Sequence, residues 1–217
     1  MSYTSTDPLK HLLYAAYNNH IEVVAKMFVE QEKLCLANID NAAYHAVDQG
    51  HLNVLQFLVA KKNNIVTKNP KLILCAAREG HLKIVEFLHD FGSDINGNGS
   101  DLLITASRAG HLDIVKYIME HTDTDLSLNI AMCKASKYGH LETLKYLVEN
   151  GANINAKNNY AIKYAAKNSS FEILEYLLSN SGSVDIAKKH ASVHVQAWFL
   201  SQELNTKNST KTIRPKI

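Results

Sequence analysis

Proline occurs only at positions 8, 70 and 215 of the 217 residues, so long stretches can be helical without interruption. Cysteine is as scarce. Cys35, Cys75 and Cys133 are an odd count with no CxxC spacing, which fits a reducing, intracellular setting better than a disulfide framework. No apolar run approaches the roughly 20 residues that a bilayer requires, and the opening MSYTSTDPLKH carries no apolar signal-peptide core. A location in the cytoplasm with no membrane part is the expectation. The formal charge is only +2, too small to argue for nucleic acid. No HExxH, phosphate-binding loop, G-x-S-x-G or kinase signature occurs, so neither an enzyme nor a cofactor is expected.

What the chain has in abundance is itself. The segments NNHIEVVAKMF, QGHLNVLQFLV, EGHLKIVEFLH, AGHLDIVKYIM and YGHLETLKYLV align without gaps. Their histidines are His20, His51, His81, His111 and His140, spaced by 31, 30, 30 and 29 residues. A further copy, NSSFEILEYLL, has Ser169-Ser170 in place of Gly-His.

Each unit reads as two short helices. In the third, Leu72, Ile73, Ala76 and Ala77 form one apolar helical face. Gly80 interrupts it, and Leu82, Ile84, Val85, Phe87 and Leu88 begin another. Gly50, Gly80, Gly110 and Gly139 recur at the break, where a left-handed residue would end the first helix; Asn19 holds the place in the first repeat. Small pairs precede it, among them Ala15-Ala16, Ala76-Ala77 and Ala165-Ala166, and let helices approach closely. A unit this small cannot bury its own apolar face, so neighbours must stack and share a core.

The pattern A-A-x-x-G-H-L-E-I-V-x-x-L-L, followed by Gly-Ala-Asn-Ile-Asn at 151–155, resembles the ankyrin repeat over residues 9–186. The resemblance implies an all-α solenoid of six helix-turn-helix repeats of about 30 residues closed by a C-terminal capping helix. Two features depart from the family. The T-P-L-H opening is missing, and the period is about three residues short of the usual 33. The missing residues fall on the β-hairpin "finger", so long, well-paired fingers are not expected. Short, Asn- and Lys-rich repeats of this kind resemble the ankyrin families of amoeba-infecting giant viruses, which would make the cytoplasm that of a host cell. The expected organisation is a flexible terminus at 1–8, a repeat domain with its cap at 9–204, and a basic flexible tail at 205–217. In the cap, at 191–204, Trp198, Phe199 and Leu204 are expected to cover the last open face, in the place of a seventh first helix.

The eleven histidines invite a metal reading. The repeated ones should stand about 10 Å apart, one helix diameter, whereas zinc needs its ligand nitrogens at ~2 Å. Each imidazole is instead expected to tie an inter-helix turn to a neighbouring backbone group, with no metal bound. Cys75 and Cys133 are expected as small apolar side chains rather than nucleophiles.

The family resemblance also places a binding groove along the first helices. It points to Tyr14, Tyr17, His45, Arg78, Arg108, Lys134, Lys137, Tyr138, Tyr164 and Lys167 as partner contacts. Positions of this class in the third to sixth repeats carry net +4, and those in the first two −1. With tyrosines interleaved, this implies a non-enzymatic module, expected to be a monomer, that binds a protein through an acidic segment. An adaptor for ubiquitin-type or host-modulating assemblies is one alternative, although the 13 residues after Leu204 are too short for an F-box. A weak nucleic-acid binder using the basic groove is another, against which stands the lack of a Gly-rich or aromatic platform.

Overall fold

The computed structural model describes residues 7–62, 64–122 and 126–211. All regular structure among them is helical. The chain divides into two compact units at Leu126–Ser127.

The first unit contains α1 (Pro8–Tyr17), α2 (Ile21–Glu30), α3 (Glu32–Ala37), α4 (Ile39–Asp48) and α5 (Leu52–Lys61). It continues through α6 (Ile65–Lys68), α7 (Lys71–Glu79), α8 (Leu82–Asp90), α9 (Ile95–Ala109) and α10 (Leu112–Glu120). Helices α1, α4, α7 and α9 are the first helices of successive repeats and stack in that order, each paired with the second helix that follows its turn. The second unit contains α11 (Leu128–Tyr138), α12 (Leu141–Glu149), α13 (Ala156–Lys167), α14 (Phe171–Ser179), α15 (Val184–His190) and α16 (Val193–Lys211). Here α11, α13 and α15 stack as first helices.

The core follows the sequence pattern closely. Ala15, Ala16, Ala76, Ala77, Ala165 and Ala166 are fully buried, as small residues must be where two helix backbones close on each other. Second helices contribute the larger side chains, such as Leu55, Leu58, Ile84, Leu88, Ile114 and Ile118. Ser136 fills a small-residue site and donates its hydroxyl to the Ala161 carbonyl at 2.8 Å, which satisfies a polar group in an apolar layer.

Among the described residues the finger segments contain no paired strands. In place of paired strands the first unit has the short helices α3 and α6 and an N-terminal extension of α9. Asp94 caps that extension, its Oδ1 accepting from Gly97 N at 2.7 Å. In the second unit the chain turns left-handed over Lys157, Asn158 and Asn159, with φ of 51, 58 and 59°, before α13 continues as a right-handed helix. Two of the three are asparagine, the residue most tolerant of this conformation after glycine.

The end of the second unit also differs from expectation. The seventh first-helix place belongs to α15, with Ala187 fully buried, and the capping helix is the second member of that pair. Val195 is therefore its buried residue, while Trp198 is only half-buried, its ring 6.2 Å from that of Phe171. Leu204 is 60% exposed and covers nothing within this unit. The helix runs on to Lys211, so the first half of the basic tail is helical; its Arg214 and Lys216, like residues 1–6, lie outside the described residues.

The first helices α4, α7, α9 and α11 end at a left-handed glycine: φ is 78° at Gly50, 84° at Gly80, 86° at Gly110 and 87° at Gly139. The next amide then donates back to the last turn, as in His81 N to Ala76 O at 3.0 Å and His140 N to Ala135 O at 2.9 Å. Asn19 and Ser169 adopt the same conformation without being glycine.

A second constraint acts on the glycines. A Cβ on Gly50 would lie 2.7 Å from Cε1 of His81, and one on Gly80 2.5 Å from Cε1 of His111. The imidazoles of the third and fourth repeats thus lie on the glycine of the repeat before. Gly139 has open space there, because Ser170 replaces the next histidine. A cleft of about 340 Å³ lined by Gly139, Leu141, Ser170 and Phe171 occupies the place.

Gly80→Ala should therefore cost about 2–3 kcal/mol, from the positive φ plus displacement of the His111 ring. Gly139→Ala has only the backbone term and should cost about 1 kcal/mol. Urea unfolding of the two variants checks this; equal losses would show that the ring contact contributes nothing.

Candidate functional site

The histidines at the repeat turns are committed to the scaffold. Nε2–H of His51 donates to the Tyr17 carbonyl at 2.9 Å, that of His81 to Asp48 at 3.3 Å, and that of His111 to Arg78 at 3.0 Å. Each acceptor is a last-turn carbonyl of the preceding first helix, a group with no partner inside its own helix. These histidines sit at N-cap positions of second helices yet make no capping bond there, since the ring turns toward the neighbouring repeat instead. Where Ser170 replaces histidine, Asn168 Nδ2 donates to the Lys137 carbonyl at 2.9 Å. At the last turn the backbone N of Ser192 donates to Ala166 O at 3.1 Å, and its hydroxyl meets that of Ser169 at 2.8 Å.

The cysteines are likewise structural. All three are free and buried, and burial raises their thiol pKa values, that of Cys133 to about 11. A thiol so protonated at neutral pH is a poor nucleophile.

The sequence-predicted contact residues lie on the first helices, in two separate groups. In the first unit the Tyr17 and His45 rings pair at 6.1 Å, while Tyr14 lies 6.0 Å from His20. Arg78 and Arg108 line an open concavity of about 320 Å³ with Tyr44, Lys71 and Cys75. Arg78, however, is spent. Its Nη2 donates to Asp48 Oδ1 at 3.2 Å and reaches the Tyr44 hydroxyl at 3.4 Å, while Nε donates to the Glu79 carboxylate. Two carboxylates thus offset one guanidinium, and hydrogen bonding raises its already high pKa further. Counting groove charges along the sequence placed Asp48 with the first two repeats, yet it neutralises the third.

The second unit is different. Residues 127–140 and 150–170 hold Lys134, Lys137, Lys157, Lys163 and Lys167 and no acidic residue. The acids of these repeats, Glu142, Glu149, Glu172 and Glu175, all lie on the second helices α12 and α14. In these two repeats the first-helix side therefore carries one sign of charge, while the second helices hold the four glutamates and only Lys145. Residues 1–126 carry 11 basic and 15 acidic side chains, residues 127–217 carry 12 and 6, so the small overall charge hides two opposite halves.

Tyrosines complete this wall. The Tyr160 and Tyr164 rings stack at 4.3 Å, one helical turn apart. The Lys137 ammonium lies 5.0 Å from the Tyr164 ring centre and 5.6 Å from that of Tyr138, within cation–π range. Lys134, Lys157, Tyr160, Ile130 and Cys133 line an adjacent concavity of about 240 Å³. Lys157 and Tyr160 are functional candidates that repeat alignment did not mark, because the left-handed turn that brings Lys157 beside Tyr160 has no counterpart in the other repeats.

The phenols are inequivalent. The Tyr160 hydroxyl donates to the Tyr164 oxygen, which pushes its own pKa up to about 12. The same bond, with the Lys137, Lys167 and Lys134 ammoniums, holds Tyr164 below the ordinary phenol range. Tyr164 should be the first of the pair to ionise. Lowered in the folded state, it contributes stability above the unfolded phenol pKa that fades as pH falls through its folded value; Tyr160, raised, acts in the opposite sense. Ultraviolet titration of the wild type against Tyr164→Phe should show the variant lacking the earliest phenolate absorbance, with the Tyr160 transition moved down. An unchanged early transition would assign it to another tyrosine.

Stacked helical hairpins that keep their backbone ties inside the stack, and turn first-helix side chains to an open face, define a helical-repeat protein. A model of ankyrin repeats in sets of three matches residues 45–130, 72–158 and 123–190, well over half of the chain. The chain belongs to the ankyrin-repeat family, whose repeats serve as protein-binding modules. Comparison with curated proteins finds no match. Among the described residues no helix is long and apolar enough to cross a membrane.

Proposed function

We propose that this protein is a non-catalytic binding module that holds an acidic segment of a protein partner on the first-helix wall of its second unit. The observation that carries this reading is the charge of its first two repeats: five lysines and no carboxylate on α11, α13 and the finger between them, four glutamates and only Lys145 on α12 and α14 behind. Lys134, Lys137, Tyr138, Tyr164 and Lys167 are the proposed contacts, joined by Lys157 and Tyr160. Solvated lysines make a charged segment's approach fast and salt-sensitive, while tyrosines supply rigid amphipathic area that costs little entropy to immobilise. In the first unit, Tyr14, Tyr17, His45 and Arg108 are proposed as secondary contacts. Arg78 supports the fold of that face, because its charge is already matched. The Asn- and Lys-rich style of the repeats favours a viral protein acting on a host partner, in the host cytoplasm.

The test is anisotropy with a fluorescent Asp/Glu-rich peptide pool at several salt concentrations. The triple variant Lys134→Glu, Lys137→Glu, Lys167→Glu touches no core position and should weaken binding at least about tenfold while leaving the melting curve in place. The same six-unit change on exposed second-helix positions of the first unit, Lys26→Glu, Lys83→Glu, Lys116→Glu, should weaken it less than about twofold. Equal losses in the two variants would show that only net charge matters, and no loss in the triple variant would remove the second-unit wall as the site.

A further inference from the structure

The second-unit wall offers more positive charge at one place than a single carboxylate uses. Around the Tyr160–Tyr164 stack stand Lys134, Lys157 and Lys137, the last with its ammonium 5.0 Å from the Tyr164 ring. The Tyr160 and Tyr164 hydroxyls hydrogen-bond to each other beside the stacked rings. All of these groups donate, and residues 127–140 and 150–170 contain no carboxylate to compete for them. The neighbouring concavity of about 240 Å³ has room for one compact anionic group.

We infer that the acidic segment is anchored here by a phosphorylated side chain, its phosphomonoester held by Lys134, Lys137 and Lys157 with the Tyr164 hydroxyl as a neutral donor. This rests on the reading of the wall as an acidic-segment site and deepens it. A phosphomonoester carries about −1.5 to −2 charges at pH 7 and three acceptor oxygens, against one charge and two oxygens for a carboxylate. Convergent ammoniums therefore favour it. A nucleic acid presents phosphates as well, but its bases need open aromatic faces to stack on. Here Tyr160 and Tyr164 already face each other, and Lys137 lies over Tyr138 and Tyr164.

The test uses the full chain and three fluorescent peptide pools that differ only at one central residue: phosphoserine, serine or glutamate, with aspartates on either side. The phosphoserine pool should bind about tenfold or more tighter than the glutamate pool. Lys137→Ala and Lys134→Ala should each remove most of that advantage, and Tyr164→Phe, which keeps the ring stack, should reduce it severalfold. Circular-dichroism melts confirm that the variants remain folded. Equal binding of the phosphoserine and glutamate pools would overturn the phosphate anchor while leaving the acidic-segment reading intact; no binding by any pool would overturn both. Tighter binding of a single-stranded oligouridine through the same lysines would assign the wall to nucleic acid instead, and a phosphoserine preference that survives in both lysine variants would place the anchor elsewhere.

Discussion

A helix leaves its last carbonyls without partners, and in a stack of short helices those carbonyls recur every 30 residues or so. The described structure of this protein turns on how they are satisfied. The imidazole Nε2–H of one repeat reaches the last turn of the repeat before, and the His81 and His111 rings lie against the glycine that ends that helix. One residue type thus supplies a donor, and another supplies both the left-handed backbone and the missing Cβ that admits the ring. The tie joins neighbours rather than closing a single helix, so it fastens the repeat interface, where the stability of such stacks resides.

The requirement is for a donor and not for histidine as such. In the second unit an asparagine side chain and then a serine backbone amide take over. Each substitution leaves a visible trace: the cleft beside Gly139 is the space a ring would occupy, and Ser169 accepts a positive φ beside the Ser192 hydroxyl. These turn carbonyls therefore keep a donor although the group that supplies it changes from repeat to repeat.

With turn carbonyls satisfied by neighbours, the outward side chains of the first helices are not needed for folding and can be spent on recognition. The two units use this freedom differently. Around Arg78 the first unit matches charge internally through Asp48 and Glu79, and builds aromatic contacts around His45. The second unit sets the lysines of α11 and α13 on a stretch without carboxylates, with tyrosines among them. A surface with one sign of charge and fixed aromatic rings is a recognition surface at little cost to the fold, since its charges are solvated and its rings pack on one another.

The Gly-His period and the alanine pairs were enough to place the helical pairs, their turns and their buried faces, because all of these follow from local periodicity and from the steric limits of one residue. The missing fingers were also legible as a loss of residues. Their replacement by α3, α6 and a left-handed turn at Lys157–Asn159 was not, since nothing local distinguishes a short helix from a short loop there. Residues 184–190 went unnoticed as a first helix because Ala191-Ser192 stands where Gly-His signals the turn. The sequence by itself determined the repeat, the glycine at each break and the residue types on the first helices. Only tertiary structure decided which histidine met which glycine, that Asp48 would neutralise Arg78 from 30 residues away, and that Lys157 would stand beside Tyr160. Those outcomes depend on side chains of different repeats meeting through stacked helices, and no pattern within one repeat encodes such a meeting.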